Sequence, residues 1–465
     1  MAGPSTGRLM PLLLLAFFLP SIVHSAAVHN VHHRMLPSRS HHRRAPSPSY
    51  TPPNITFSPV NGSSSIQDSS YHRLTGLLPT VLENAVESSF HSWEIGTLVE
   101  AILETYYPST RAFGYDPNYL NGKVPTEALQ VVVAALGSYP WSGSPESTAL
   151  NTSSADLSDY LSPSSAPVTL APQALVNGDG SLGDPCSLGA GVWTLAEFLT
   201  QQAASQSLST GNEGADDYAW AVGNQLQYLR QQPTSSNGTM SQRENGFQLW
   251  ADMGYMIPPF LASLGLATSS DDLLALGINQ WLLESSALLD TTKDIFRHIN
   301  DFDARLWATG NAWMLYGACR VLASIGVAGE TSNLAAQVGS TVRQLSAIFP
   351  AIFAQLDSDN LVPNYMYESE PSLSIGDAAG TALIVAAYYR FAALAPRYAT
   401  QTLTAQANKA FDGVIAQLGD DGWLTHVVDP MGTNGWVVNL NSGQRSPEGQ
   451  SFLAHMWVAR TALGV

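Results

Sequence analysis

Little in this chain is basic. Its 465 residues hold 20 Lys and Arg against 37 Asp and Glu, a formal net charge of −17. Several of the few basic residues fall in one stretch, "HNVHHRMLPSRSHHRRAP" (29–46), so the body is more acidic than the total. Such a surface repels phosphate backbones and anionic headgroups, and neither nucleic acid nor a membrane is an expected partner. An anionic ligand would need a site that creates its own positive potential. Cysteine is scarcer still. Cys186 and Cys319 are the only two, too few for a disulfide framework. Cys319 should lie mid-helix and Cys186 in a loop, a placement that argues against a bridge. A membrane-length apolar run is missing as well. "LMPLLLLAFFLP" (9–20) falls short of the roughly 20 residues a spanning helix needs, and no later segment reaches that length. Also absent are a Gly-rich phosphate loop, HExxH and GxSxG, so no metal or organic cofactor is implied.

What is present begins with a secretory pattern. Arg8, the short apolar run and the small residues Ser25, Ala26 and Ala27 read as a signal peptide over residues 1–25. Four sequons, at Asn54, Asn61, Asn151 and Asn237, suit a secreted, extracellular glycoprotein. Residues 26–66 are rich in His, Arg, Ser and Pro without periodicity and read as a tail or propeptide, with Arg43-Arg44 as a processing point. The histidines there lack interleaved acidic or cysteine ligands, so metal binding is not expected.

From residue 70 the pattern is helical almost throughout, with about twelve helices broken by Gly, Pro, Asn and Asp. Strand signals are short and confined to connections. A Ser/Pro/Ala-rich insertion at 138–178 should be an exposed loop. The helices alternate in character. The even-numbered ones ("SWEIGTLVEAIL", "WADMGYMIPPFLASLGL", "ATGNAWMLYGACRVLASI") open with small or polar residues and then run apolar on all sides. The odd ones ("DDYAWAVGNQLQYLRQQ") are amphipathic. A helix apolar all round is buried and an amphipathic one covers it. Six such pairs predict an all-α (α/α)6 six-hairpin barrel over residues 67–465.

In that barrel the inner helices run parallel, and their N-termini open at one mouth. Unpaired amides and dipole ends there favour anions despite the acidic exterior. Glu94, Asp184, Asp252, Asp377 and Glu448 fall at those N-termini. Arg243, Arg297, His298, Asp301 and Asp303 lie on connections leading in. Trp93, Trp193, Trp250, Tyr255, Trp307 and Trp313 are near. Carboxylates ringed by aromatics suggest sugar chemistry, since aromatic faces stack on sugar rings and paired carboxyls supply acid and base. Each acid has a plainer reading too. Asp or Glu in a first turn is favoured by the dipole alone, and Asp184, between Gly183 and Pro185, is placed to cap. Capping explains Asp252 least, because Trp250 and Met253 flank it and an unpaired carboxylate in such surroundings is costly.

"LWADMGYMIPPFLA", "RLWATGNAWMLYGACRVL", "SWEIGT" and "SPEGQ" together resemble the unsaturated rhamnogalacturonyl hydrolases of glycoside hydrolase family 105, in particular their secreted fungal branch, over about residues 70–465. The unsaturated glucuronyl hydrolases are related. The resemblance implies an enzyme on pectin-derived oligosaccharides that end in a 4,5-unsaturated uronic acid, which it removes by hydrating the ring double bond; separately, a monomer is expected. Asp252 matches the acid that protonates C4 and then activates water. Asp184, five residues before Gly189, matches the second acid, whose negative charge raises the pKa of the first. His298 matches a loop histidine that orients water or substrate. Catalysis thus falls to Asp252 and Asp184, and substrate contacts to His298, Trp307, Trp313, Arg243, Glu94, Trp250 and Tyr255. The chain departs from the pattern at Pro185, where the family often has a histidine, in the loop at Gln242 and Arg243, where one second histidine is expected, and at Thr309, an arginine in bacterial members. Arg243 reads either as a replacement contact to the uronate carboxylate or as a solvated loop residue. An inverting glycosidase on saturated glycosides and a non-catalytic oligosaccharide-binding barrel are the alternatives.

Overall fold

Helical character along the chain divides as the alternation predicts. The computed structural model describes residues 50–144, 160–161, 170–201, 213–428, 436–440 and 445–465. The expected signal peptide, the His/Arg-rich stretch as far as 49, Asn151 and the insertion segments 145–159 and 162–169 lie outside those residues. The inner helices are α2 (Ser92–Tyr106), α4 (Gly189–Thr200), α6 (Met253–Ala267), α8 (Ala308–Val327), α10 (Ala378–Leu394) and α12 (Pro447–Leu463). A 3-10 turn over Asp184–Leu188 leads into α4. Each inner helix packs on the next, and α12 returns to α2 to close the ring. The outer helices α1 (Ser69–Ser88), α3 (Thr126–Ala135), α5 (Ala215–Arg230), α7 (Asp271–Leu288), α9 (Ala335–Phe353) and α11 (Gln401–Ala416) each pack on an inner neighbour. α8 is buried at every position from Ala308 to Ile325. α11 buries only one stripe, Ala407, Ala410, Phe411, Gly413, Val414 and Ile415, as an outer helix should.

Three two-residue ladders brace the connections: β1 (Leu289–Asp290) with β2 (Ile295–Phe296), β3 (Leu306–Trp307) with β4 (Tyr365–Met366), and β5 (Val427–Val428) with β6 (Val438–Asn439). All are antiparallel, and the second sets Trp307 opposite Tyr365. Among the described residues no helix is long and apolar enough to cross a membrane. Both cysteines are free and buried.

One boundary differs from expectation. The tail was expected to extend to residue 66, but Ile55, Phe57 and Ile66 are buried. Phe57 stacks on Tyr106 at 5.6 Å, and its amide donates to Glu83 at 3.2 Å. Two alternating apolar residues in an extended segment are enough to anchor it, and a search for helical period does not see them.

The inner ring is tight where small residues meet. A Cβ on Gly317 of α8 would stand 1.9 Å from the Gly254 carbonyl oxygen of α6. Gly317→Ala therefore forces the two helices apart, at a cost of about 3 kcal/mol. A urea-unfolding midpoint followed by circular dichroism should fall accordingly, and an unchanged midpoint would contradict this packing.

Candidate active site

Asp252 stands just before α6 in a helical conformation, and its side chain caps no amide. The chain holds it by its neighbours. The amide of Ala251 donates to the His298 carbonyl at 2.8 Å, and Trp250 bridges to Ile299, so the loop carrying His298 is strapped to the start of the helix. Asp252 Oδ2 is buried with no hydrogen-bond partner. It lies 3.8 Å from His298 Nε2, yet the side chain as a whole keeps 21% of its surface accessible. One oxygen thus faces the imidazole while the rest of the carboxyl remains reachable. Burial raises its pKa, and the His298 charge opposes that rise.

His298 is fixed from behind. Its Nδ1 meets Asp303 Oδ2 at 2.9 Å. Asp303 also accepts from Arg305 Nε at 2.6 Å, Arg305 Nη2 at 3.0 Å and the Tyr365 hydroxyl at 2.8 Å. Despite burial, these bonds and the imidazole hold Asp303 well below the usual carboxylate range. An ionised Asp303 keeps the proton on Nδ1 and turns Nε2 to Asp252. Indole rings enclose the imidazole: Trp307 at 4.3 Å, Trp436 at 5.2 Å and Trp250 at 5.8 Å. Trp307 donates to Asn364 at 2.8 Å, and Asn364 donates to the Trp436 carbonyl at 2.6 Å. Trp436 holds φ at +58°, a costly conformation for so bulky a residue and one that gathers at functional sites.

Asp184 comes from the adjacent helix start. Its 3-10 turn packs on α6, where Gly183 lies against Met253. Gly183 occupies the cap position, so capping is not the work of the Asp184 side chain. The Asp184 amide donates to Ser181 Oγ at 3.1 Å, and Gln242 Nε2 donates to the same oxygen at 2.9 Å. Burial, then the Asp252 carboxylate, push the pKa of Asp184 from 3.8 up to about 7; Ser181 and Arg243 pull the other way. The two acids form a buried pair in which one carboxyl retains its proton near neutral pH.

The remaining candidates separate into distinct places. Arg243 is half-buried beside the pair, its Nη2 donating to the Asp179 carbonyl at 3.1 Å. Trp250 forms an accessible lip with Phe302. Trp307 is buried against His298 and acts on the imidazole rather than as an open platform. Tyr255 and Trp313 are corrected to core residues: they are 0% and 2% exposed and pack on each other at 4.6 Å. Their positions in α6 and α8 turn them to the ring interior below the mouth. Trp193 is not at the mouth either. It lines a separate cavity with Tyr119 and Glu197. Arg297 pairs with Asp290 at 3.4 Å instead of reaching inward. Glu94 is buried and accepts the amides of Phe90 and His91 at 2.8 and 2.9 Å, closing the start of α2. Asp377 accepts those of Ala379 and Gly380 and the Thr309 hydroxyl, so the plain capping reading holds for both. Glu448 is buried against Trp93 Nε1 at 3.1 Å.

Sequence reasoning missed His91, Asp179, Tyr365 and Trp436. A signal existed for His91, which immediately precedes "SWEIGT" at the cap of α2. Tyr365 and Trp436 reach His298 from distant connections, and no local pattern announces them.

Because the folded protein keeps a proton on the acid pair that the unfolded chain has released, stability falls as pH rises between about 4 and 7. Asp184→Asn removes part of that dependence. Melting temperatures across this window should decline less for the variant than for the parent; equal slopes would show that Asp184 is ionised throughout.

The model of Glycosyl Hydrolase Family 88 matches residues 206–441. Solved structures share the fold. A possible member of glycoside hydrolase family 105 from Salmonella enterica aligns with TM-score 0.58 at 15% identity, covering 87% of this chain and 99% of its own. A family 105 glycoside hydrolase from C. acetobutylicum aligns with TM-score 0.54 at 15% identity, covering 82% and 98%. The unsaturated glucuronyl hydrolase of Bacillus sp. GL1 aligns with TM-score 0.52 at 11% identity, covering 83% and 96%. No curated protein matches the sequence.

Proposed function

The chain belongs to Glycosyl Hydrolase Family 88, and from that premise we propose that it removes a terminal 4,5-unsaturated uronic acid from oligosaccharides by hydrating the ring double bond. It is a glycoside hydrolase with an (α/α)6 barrel. The observation that carries the reading is Asp252: half-buried and uncapped, with one buried oxygen unbonded and turned to His298, beside a second acid with which it shares a proton near neutral pH. A carboxyl serving only the helix would bond its amides, as Asp377 does.

In the proposed reaction the protonated Asp252 gives its proton to C4 of the vinyl ether, and the positive charge that develops at C5 is shared with the ring oxygen. Asp252, now a carboxylate, takes a proton from water whose oxygen adds to C5. The resulting hemiketal opens to a ketone at C5 and a hemiacetal at C1, which collapses to an aldehyde as the next sugar leaves with its oxygen as a free hydroxyl. Burial of Asp252 favours the protonated start, and Asp184 is the partner with which it shares the proton near neutral pH. His298, oriented by Asp303, is positioned to hold the water. The substrate class is pectin-derived, rhamnogalacturonan fragments left by lyase action, with the protein working outside the cell. The exposed sequons Asn54, Asn61 and Asn237 support that placement.

The test follows the ultraviolet absorbance of the conjugated double bond in unsaturated rhamnogalacturonan and glucuronan disaccharides. The parent should bleach it, and Asp252→Asn should slow turnover by about 10²-fold or more. A folded parent that leaves every unsaturated uronide intact, or cleaves only saturated glycosides, contradicts the proposal.

A further inference from the structure

The mouth presents an electrostatic problem that the reaction itself does not solve. Its substrate, on the reading above, carries a carboxylate, while Asp184, Asp252, Glu94 and Glu448 are already gathered at the helix starts. Thr309 is committed to Asp377 at 2.6 Å, and Arg305 to Asp303. Two groups remain on the Asp184 side. Arg243 Nη2 binds the Asp179 carbonyl at 3.1 Å, and His91 Nδ1 binds the Asp179 carboxylate at 3.1 Å. Both are thus built on one residue. Asp179 and Gly180 hold φ at +51° and +84°, a turn that directs the carbonyl to one cation and the carboxylate to the other. A Cβ on Gly180 would stand 2.6 Å from Arg243 Nη2, so glycine is required for that approach.

His91 is a constructed feature. Its ring stacks on Trp93 at 4.7 Å and 15°, and its side chain keeps 16% of its surface. Burial works against its charge. The bond to Asp179 and the nearby carboxylates of Glu94, Asp179 and Asp184 outweigh that and raise its pKa above 6.5. With Nδ1 held by Asp179, Nε2 is the ring's outward donor.

We propose that His91 joins Arg243 in a receptor for the uronate carboxylate, assembled on the Asp179 turn, and that His91 sets the preference of the site for a free acid over its ester. The inference rests on the proposed hydrolase function. It assigns the cation role to the start of α2, a part of the chain where the sequence offered only Glu94 and Trp93.

The test compares the parent and His91→Asn on an unsaturated galacturonyl-rhamnose disaccharide and on its methyl ester. Asparagine keeps a good cap for α2, and melting curves verify folding. His91→Asn should raise KM for the free acid about tenfold, equivalent to about 1.4 kcal/mol, with kcat nearly unchanged. The acid-to-ester ratio of kcat/KM should drop by a similar factor. Asp179→Asn, which removes the carboxylate that holds His91 and leaves the carbonyl for Arg243, should lower the ratio in the same direction. An unchanged ratio in an active variant, or equal losses on acid and ester, overturns the receptor. A folded parent inert on both substrates overturns the hydrolase reading, and the receptor with it.

Discussion

A carboxyl group is expensive to bury, and this protein buries a ring of them at one place. The place is set by geometry. The starts of the six inner helices converge through Glu94, Asp184, Asp252, Thr309, Asp377 and Glu448, and helix starts offer unpaired amides and the positive ends of dipoles. Glu94 and Asp377 take up those amides. Once they do, the neighbouring Asp184 and Asp252 stand without such bonds, close together, in a setting that favours their neutral forms. The acid needed for proton transfer is therefore a consequence of the barrel. Remove the convergence of the helices and each carboxylate becomes an ordinary surface charge.

The histidine side of the pair follows a different physics. His298 is oriented by an ion cluster of Asp303, Arg305 and Tyr365, and its ring is enclosed by three indoles. The strained backbone at Trp436 is one cost of that enclosure. The rigidity sits in the connections, which here are braced by short ladders such as Trp307 against Tyr365. Opposite, the Asp179 turn holds His91 and Arg243. The two sides give the mouth a polarity: an acid pair in the middle, an oriented imidazole on one flank and cations on the other.

Much of this was legible in the residues. Helix period and the alternation of apolar and amphipathic segments gave all twelve described helices and their division into rings, because burial on every side leaves a mark in each residue. Asp252 was legible for the same reason: a charge between Trp250 and Met253 stands out against its surroundings. Asp184 and His298 were placed by resemblance and fall beside it. The aromatics were less legible, since Tyr255, Trp313 and Trp193 carry the same side chains whether they meet a sugar or the core, and only the helix rotation decides. Packing of Ile55 and Phe57 was hidden because two residues in extended chain make no period. Contacts such as Asp179 with His91, or Trp436 with His298, join segments far apart in sequence, and no local pattern encodes them.

In the proposed reaction Asp252 delivers a proton to carbon. Turnover of an unsaturated uronide by the parent protein in deuterium oxide, with the released sugar examined by nuclear magnetic resonance, tests it most directly. One deuterium at C4 and loss of the ring double bond are expected. A released uronate with its double bond intact and no deuterium on carbon would mean that the glycosidic bond is displaced directly, and would contradict it.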